Sequence, residues 1–306
     1  MPLGPSWSIK GRLLTLDRPL VMGILNVTPD SFSDGGRSFS SDADIFDFAA
    51  SMLDAGADII DIGGESTRPG AVPVSLADEL RRVIPAIERL ARERPGVVIS
   101  VDTVKSAVAR EALDAGAHIV NDVSGLRFDP GIANVCAHVG AGLIVMHSRG
   151  STVTELASYD LAKYADPVRE ILTELHKRVD SARHGGVAPE KIAVDPGIGF
   201  SKRSAQSLAA LASLEDLAEW GYPIVVGVSR KRFIGEITGV QTASARVSGS
   251  LGANVAALML GARIFRVHDV KATREALDVA WAVLHGNDEP ARKRATPASG
   301  IGRVGN

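Results

Sequence analysis

Short apolar runs, rich in β-branched residues, recur along the chain and alternate with longer amphipathic stretches. Almost every position within a run is apolar, which is typical of parallel strands that are buried on both faces. Strands that alternate with helices predict a parallel sheet. We find eight runs, at 20–26, 58–63, 97–102, 118–122, 142–147, 191–195, 223–229 and 263–268. Helices are predicted between them, over 76–92, 104–114, 167–183 and 243–260.

A similar sequence precedes several of these strands. Residues 53–63 and 113–123 both read Leu-Asp-Ala-Gly-Ala followed by an apolar run, and 139–147 and 260–268 are looser copies. The glycine suits the left-handed position that closes a helix. Eight strand–helix units predict one (β/α)₈ barrel, for which roughly 250 residues are typical, with its active site at the C-terminal ends of the strands. A doubly wound open sheet is the alternative, although its dinucleotide-binding glycine fingerprint is missing.

Composition narrows the class of protein further. The 306 residues are 45% hydrophobic and carry a formal net charge of −2, which argues against a nucleic-acid partner. We see neither a membrane-spanning run of about 18 apolar residues nor a signal peptide. Cys136 is the one cysteine, which suits a reducing compartment, so a cytoplasmic protein is expected. We predict an N-terminal segment over 1–17, a barrel domain over 18–286 and a disordered polar tail over 287–306.

Polar residues close every predicted strand. In a barrel these ends converge on one mouth, where active sites lie. Taken singly, an Asp or Asn after a strand is often only a turn former or a helix cap, but polar residues after all eight strands are harder to explain in that way. They are Asn26, Asp61 with Glu65, Asp102, Asn121 with Asp122, His147, Asp195, Ser229 with Arg230 and Lys231, and Arg266 with His268.

Glycine-bearing loops after three strands give more specific signals. The long polar loop 26–36 suggests a substrate loop or lid, and loop 63–70 places Arg68 where it could grasp an anion. The glycines of 195–202 allow the backbone to approach a flat ring, and Asp195 could bind a guanidine-like edge with two hydrogen bonds. Cations after the last two strands fit the phosphate site common in such barrels. These cations are Lys231, Arg266 and His268.

Seven segments in this order resemble the dihydropteroate synthases, a pterin-binding barrel family, and the resemblance covers roughly residues 18–285. Each segment lies at the end of a predicted strand, and together they are highly specific. They are Gly23–Gly35 (GILNVTPDSFSDG), Gly64–Gly70 (GESTRPG), Val101–Thr103 (VDT), Asn121–Gly125 (NDVSG), Asp195–Phe200 (DPGIGF), Ser229–Lys231 (SRK) and Arg266–Val270 (RVHDV).

The resemblance implies a role for each matching residue. Asp102, Asn121, Met146, Asp195 and Lys231 would bind the pterin. Phe200 and Ser229, with the loop residues Asp34, Thr67, Arg68 and Pro69, would form the p-aminobenzoate side. Pyrophosphate would be bound by Asn26, Arg68, Arg266 and His268, and Asn26 would also bind the Mg²⁺ that accompanies it. The catalytic set would be Asp102, Asp195, Lys231, Arg266 and His268.

The implied reaction condenses 6-hydroxymethyl-7,8-dihydropterin pyrophosphate with p-aminobenzoate to give 7,8-dihydropteroate and pyrophosphate. The pterin methylene carbon becomes cationic as pyrophosphate leaves, in an SN1-like step, and the aromatic amine then attacks. Mg²⁺, Arg266 and His268 would stabilise the departing charge, and no protein nucleophile is required. The resemblance also implies sulfonamide inhibition and a homodimer that packs helices late in the chain.

Two other functions stay open. One is a pterin-binding methyltransferase barrel, which has no use for the cations Lys231, Arg266 and His268, and the other is a non-catalytic pterin-binding paralogue, which would be expected to lose the loop motifs. The chain also departs from the family beside the predicted site, and these departures bear on p-aminobenzoate affinity. Ser201 stands where Gly is common, Gln206 and Ser207 where His-Asn is common, and Ala245 where Glu is common.

Overall fold

Parallel strands alternate with helices along nearly all of the chain. The computed structural model describes residues 6–28, 41–67 and 72–286. Its strands are β1 (Ser6–Ile9), β2 (Arg12–Thr15), β3 (Leu20–Asn26), β4 (Ile59–Gly63), β5 (Val98–Asp102), β6 (Ile119–Asp122), β7 (Gly142–Met146), β8 (Ile192–Asp195), β9 (Val225–Val226) and β10 (Ile264–Val267). Its α-helices are α1 (Asp42–Asp54), α2 (Leu76–Glu93), α3 (Ser106–Asp114), α4 (Gly131–Val139), α5 (Pro167–His184), α6 (Ser204–Ala212), α7 (Leu214–Ala218), α8 (Arg232–Thr238), α9 (Val247–Met259) and α10 (Val270–His285).

Strands β3 to β10 form one closed barrel. They are hydrogen-bonded in the order β8-β7-β6-β5-β4-β3-β10-β9, and every pairing is parallel. A parallel bridge between Val194 and Ile224 joins the two ends of this order and completes the circle. The (β/α)₈ prediction is therefore confirmed, and the open sheet is excluded.

The seventh barrel strand is shorter than the sequence predicts. Of the apolar run 223–229, only Val225 and Val226 form regular strand. Pro223 has no backbone N–H to donate to the ladder. At the other end the chain turns into the barrel mouth, where the amide of Lys231 donates to the carbonyl of Val228 at 3.2 Å. The run is largely buried, as predicted, but the residues on either side of Val225 and Val226 do not pair as regular strand.

An antiparallel hairpin of β1 and β2 closes the barrel at the N-terminal ends of the strands. Trp7 and Ile9 are buried against one apolar layer of the barrel interior. The indole of Trp7 donates to the carbonyl of Lys191 at 2.9 Å. The sequence predicted only an N-terminal segment here, and the hairpin leaves the opposite mouth as the open one. The layer consists of Leu20, Met22, Ile59, Val98, Ile119, Ile144, Ala193, Val225 and Ile264.

Helix ends follow the local chemistry of the sequence. Ser75 caps α2 by accepting from the amide of Asp78 at 3.1 Å, and Asp166 caps α5 just before Pro167, which needs no donor there. Helix α9 begins at Val247 rather than at 243, because 243–245 forms a separate 3₁₀ turn. Among the described residues, no helix is both long enough and apolar enough to cross a lipid bilayer.

Candidate active site

A cavity of about 850 Å³ opens at the C-terminal ends of the barrel strands. Strand register sets its floor, because Gly63, Asp102 and Asn121 are paired side by side, as are Met146 and Asp195. Of the site residues predicted from the sequence, the structure brings eleven to this cavity: Asn26, Thr67, Asp102, Asn121, Met146, Asp195, Phe200, Ser229, Lys231, Arg266 and His268. Asp34, Arg68 and Pro69 lie outside the described residues.

A guanidinium held between two carboxylates forms one wall of the cavity. Arg266 donates from Nε to Asp61 at 2.6 Å and from a terminal nitrogen to Asp102 at 2.7 Å. Asn121 donates its amide to the same oxygen of fully buried Asp61 at 3.1 Å. Asp61 therefore orients two cavity residues, although the sequence indicated it only as one polar strand end among many. Arg266 in turn has its charge balanced by carboxylates before any anionic ligand arrives.

Asp102 shares the guanidinium of Arg266 with buried Asp61, and its own pKa is strongly shifted. Burial raises that pKa from 3.8 to about 7, against the opposing effect of Arg266, and the carboxylate of Asp61 raises it further. The folded protein therefore binds the Asp102 proton more tightly than the unfolded chain does. The stability that this proton contributes is complete below about pH 4 and is lost as the pH rises through about 7.

We predict that Asp102→Asn stabilises the protein at pH 8 by roughly 2 kcal/mol and changes stability little at about pH 4, where the proton on Asp102 still contributes nearly all of its stability. Asparagine stays neutral at both values, while its oxygen can still accept from Arg266. Urea unfolding of both proteins at the two pH values measures the difference. An asparagine variant that is less stable than the unaltered protein at pH 8 would refute the assigned pKa.

Asp195 begins a loop in which position 197 has to be glycine. Its carboxylate accepts from the amide of Gly197 at 2.7 Å, and Gly197 adopts a φ of +69°. A Cβ on Gly197 would lie 1.8 Å from the carbonyl oxygen of His147, so no other residue fits without moving the backbone. Burial raises the pKa of Asp195 to about 6, with Gly197, Lys231 and Arg266 opposing the shift. The carboxyl is therefore largely ionised at neutral pH and faces into the cavity.

The other side of the cavity is aromatic and cationic. The Nζ of Lys231 lies 4.0 Å from the centre of the Phe200 ring, which is a cation–π distance. Tyr159 lies between the guanidinium groups of Arg203 and Arg232, at 5.3 and 4.8 Å from its ring centre, and lines the cavity from above. A flat aromatic ligand beside Phe200 would therefore lie close to a cation that can meet a carboxylate.

The end of β10 provides a polar corner near Asn26. His268 contacts Ser229 through its Nδ1 at 3.0 Å and its backbone amide at 3.2 Å. Arg230, with a φ of +60°, forms two hydrogen bonds to Asp269 at 3.0 and 2.7 Å, which hold this strained turn in place. This corner faces the same cavity as Asp195, so both kinds of predicted subsite share one space.

The loop after β4 is anchored by a buried ion-pair network. Lys105 binds Glu65 at 2.7 Å and buried Glu79 at 2.5 Å, and Thr103 donates to Glu79 at 2.6 Å. Glu65 also accepts from the amide of Val74 at 2.8 Å, on the far side of the loop. The sequence showed Glu65 at a strand end but gave no sign of its partners.

The donor set is consistent with a Mg²⁺ that is bound jointly with a substrate. Among the described residues, no group of three or more His, Cys, Asp or Glu side chains is placed to hold a metal ion. Mg²⁺ is commonly bound through one or two protein oxygens together with substrate phosphates and waters. The carboxamide of Asn26, at the cavity, offers one such oxygen.

The departures from the family pattern fall into two groups. Ser207 lines the cavity and accepts from the amide of Gly199 at 3.2 Å, and Ser201 is fully buried just behind Phe200. Gln206 only caps α6, by accepting from the amide of Arg203 at 3.0 Å, and Ala245 lies in the 3₁₀ turn before α9. Ser207 therefore lies at the site itself, and Ser201 lies directly behind it.

Fold and cavity together are typical of a barrel enzyme, and the cavity carries carboxylates, an amide and cations. A family model described as pterin binding enzyme matches residues 22–268. A dihydropteroate synthase of Synechocystis sp. is 47% identical over 266 residues, which are 87% of this chain and 90% of that protein.

Solved structures of dihydropteroate synthases are also similar to this chain. Xanthomonas albilineans dihydropteroate synthase with 4-aminobenzoic acid has a TM-score of 0.84 at 44% identity, over 92% of this chain and 99% of that one. The same enzyme in complex with 7,8-dihydropteroate has a TM-score of 0.80 at 42% identity, over the same shares of the two chains. The chain belongs to the pterin-binding enzyme family and, within it, to the dihydropteroate synthases.

Proposed function

We propose that this chain catalyses the condensation of 6-hydroxymethyl-7,8-dihydropterin pyrophosphate with p-aminobenzoate, which gives 7,8-dihydropteroate and pyrophosphate. One observation carries the proposal: the carboxylates of Asp102 and Asp195 share one cavity with Lys231, Arg266 and His268. A single substrate that joins a pterin to a pyrophosphate needs both sets of groups. Relatives that are 45 to 47% identical over most of the chain carry the name of this activity.

The pterin is bound by the groups at the cavity floor. Its amino-imine edge presents two parallel N–H donors, which match the carboxylate of Asp195 in a charge-assisted pair. Asp102 and Asn121 accept from and donate to the remaining ring edge, and Met146 forms an apolar wall. Arg266 holds Asp102 in place and, through Asp61, also Asn121, so it orients the floor as well as facing the cavity.

The second substrate lies on the side of Phe200 and Lys231. The aromatic ring packs against Phe200, and its polar groups lie on the side of the cavity that Lys231 and Ser229 line. As the pterin methylene carbon loses pyrophosphate it becomes cationic, and the amine nitrogen attacks it. The protein contributes by holding both substrates adjacent, which replaces a bimolecular encounter by a local one.

Pyrophosphate departs toward the polar corner of the cavity, which Asn26, Arg266 and His268 line. The predicted contributions of Arg68 and Asp34 concern positions outside the described residues. Mg²⁺ is proposed as the cofactor, with Asn26 as its protein ligand, and when bound it would neutralise charge on the leaving pyrophosphate. His268, supported by Ser229, can donate to the same oxygens.

The proposal is tested with purified protein, the pterin pyrophosphate and Mg²⁺, with and without p-aminobenzoate. Pyrophosphate release and dihydropteroate are measured in the same samples. We expect one pyrophosphate per dihydropteroate, dependence on p-aminobenzoate, and loss of turnover with a chelator. Pterin binding without pyrophosphate release would indicate the non-catalytic paralogue. Methyl transfer from methyltetrahydrofolate to a corrinoid protein would indicate the methyltransferase barrel.

We further propose a homodimer formed through α9 and α10. Val279 and Val283 lie one turn apart on α10 and are 66% and 79% exposed, and Met259 of α9 is 62% exposed. Large apolar side chains that remain exposed often mark a protein–protein interface. Sedimentation velocity should show a dimer, and Val283→Glu should shift it to monomer. A monomer in the unaltered protein would refute the dimer.

A cytoplasmic location is proposed as well. The support is chemical: Cys136, the single cysteine of the sequence, is buried and burial raises the pKa of its thiol, so it is unreactive and unpaired.

A further inference from the structure

Ser201, the residue that follows Phe200, has an unusual backbone conformation, and its hydroxyl is both a donor and an acceptor of hydrogen bonds. Its φ is +50°, a left-handed conformation that glycine adopts without strain and other residues seldom do. The side chain is fully buried. Its Oγ donates to the carbonyl of Arg149 at 2.7 Å or of Leu156 at 3.0 Å, and it accepts from the amide of Arg149 at 3.0 Å.

These contacts all reach one stretch of chain, the segment from Arg149 to Tyr164 between β7 and α5. Tyr164 closes the other end of the segment, because its hydroxyl donates to the carbonyl of Ser201 at 3.1 Å. The buried side chain of Leu156 belongs to the small apolar cluster of Met146, against which Phe200 also packs. The segment is thus held to the Phe200 loop by hydrogen bonds between side-chain hydroxyls and main-chain groups and by a shared apolar contact.

Part of this segment faces the cavity. We call residues 154–159 the amine-side wall, because Thr154, Ala157, Ser158 and Tyr159 line the cavity above Phe200. Aside from Leu156, most of the wall is only partly buried, so it has few apolar contacts to hold it in place. The hydroxyl of Ser201 connects the middle of the wall to the body of the barrel through the carbonyl of Leu156, and Tyr159 at its end contacts Arg203 and Arg232.

The loop that carries Ser201 is itself fixed from below by Lys202. This lysine is fully buried, and its Nζ contacts the carbonyls of Gly197 and Phe200 at 3.0 and 3.1 Å and Nδ1 of His147 at 2.7 Å. The wall is consequently attached through Ser201 to a rigid support. A change at Ser201 should loosen the wall while Phe200 and the pterin floor stay in place.

We propose that Ser201 is a positioning residue for the p-aminobenzoate subsite, whose hydroxyl latches the amine-side wall onto the Phe200 loop and so determines how tightly the aromatic amine is enclosed. The proposal rests on the proposed function for the identity of the amine. The latch itself rests on the contacts alone. Pterin binding should be independent of it, because Asp102, Asn121 and Asp195 make none of the hydrogen bonds to Ser201.

The test compares Ser201→Gly and Ser201→Ala with Ser213→Ala as a matched control. Ser213 is also buried, but its hydroxyl donates only within its own helix end, to Ala210 at 3.1 Å, and it does not line the cavity. Amide hydrogen exchange over 150–160, the KM for p-aminobenzoate, kcat, and the calorimetric affinity for pterin alone are measured for each protein.

Both Ser201 variants should exchange faster over 150–160 and show a KM for p-aminobenzoate raised about five- to tenfold, the factor expected for losing one or two buried hydrogen bonds. Pterin affinity and kcat should stay within about twofold, and Ser213→Ala should resemble the unaltered protein throughout. Glycine relieves the strained φ and alanine does not. A shared rise in KM therefore assigns the effect to the hydroxyl rather than to the backbone.

An unchanged KM for p-aminobenzoate in Ser201→Gly, or an equal loss of pterin affinity, would overturn the proposal. Unchanged exchange over 150–160 would overturn the latch by itself. If the unaltered protein forms no dihydropteroate, the proposed function fails, and the exchange measurement still decides whether the latch exists.

Discussion

Arg266→Ala is expected to destabilise the protein by about 3–5 kcal/mol, because it leaves the buried carboxylate of Asp61 and its neighbour Asp102 without their cation. Asp61 is fully buried, and Asp102 shares the same guanidinium at 2.7 Å. Turnover should fall by about 10³-fold, since the variant also disturbs the groups that hold the pterin. Urea unfolding and steady-state kinetics measure the two effects.

Three further variants separate the causes of this loss. Arg266→Lys keeps the charge but cannot bridge both carboxylates as a fork does, so it should be intermediate. Adding Asp61→Asn to Arg266→Ala should recover part of the stability, because one uncompensated charge is removed. Arg81→Ala breaks an exposed ion pair with Asp78 and should change stability by less than about 0.5 kcal/mol. An Arg266→Ala protein as stable as Arg81→Ala would show that the buried charges are screened.

Asp195→Asn is expected to weaken pterin binding by about 100-fold or more. The asparagine oxygen can still accept from the amide of Gly197, so the loop should keep its shape. The second carboxylate oxygen becomes an N–H donor, which then meets a donor of the pterin instead of pairing with it. Calorimetry with pterin alone gives the affinity without dependence on turnover.

Asp129→Asn is the matched control for this substitution. Asp129 also accepts from backbone amides, those of Ser106 at 2.7 Å and Gly131 at 3.0 Å, but it does not line the cavity. The control should lose some stability and keep its pterin affinity. The affinity of the unaltered protein should also fall as the pH drops through about 6, where Asp195 takes up a proton. Equal pterin affinity in Asp195→Asn and Asp129→Asn would remove Asp195 from the pterin site.

The barrel could be predicted because parallel strands buried on both faces appear as unbroken apolar runs. All eight runs became barrel strands, and the polar residue that ends each one indicated the open mouth. The N-terminal hairpin was missed for a related reason. Its two strands are short and partly polar, and only packing against the closed barrel buries Trp7 and Ile9. No local pattern contains that information.

The site could be predicted as a set of residues but not as a network. The pair of Asp61 and Arg266 joins positions 205 residues apart, and only barrel closure brings them together. A lysine after a glycine-rich loop would be expected to be exposed. Lys202 is instead buried, because the carbonyls of Gly197 and Phe200 accept hydrogen bonds from its ammonium. Ser201 was noted as a departure from the family, but its hydrogen bonds depend on a segment about 50 residues earlier in the chain.

The central claim is that one cavity binds the pterin on the carboxylates and the aromatic amine beside Phe200 and Lys231. A crystal structure of this protein with 7,8-dihydropteroate tests it most directly. We expect the pterin edge to be hydrogen-bonded to Asp195 and Asn121, with the benzoate ring against Phe200. A product molecule whose pterin ring lies away from both carboxylates, Asp102 and Asp195, would contradict the account.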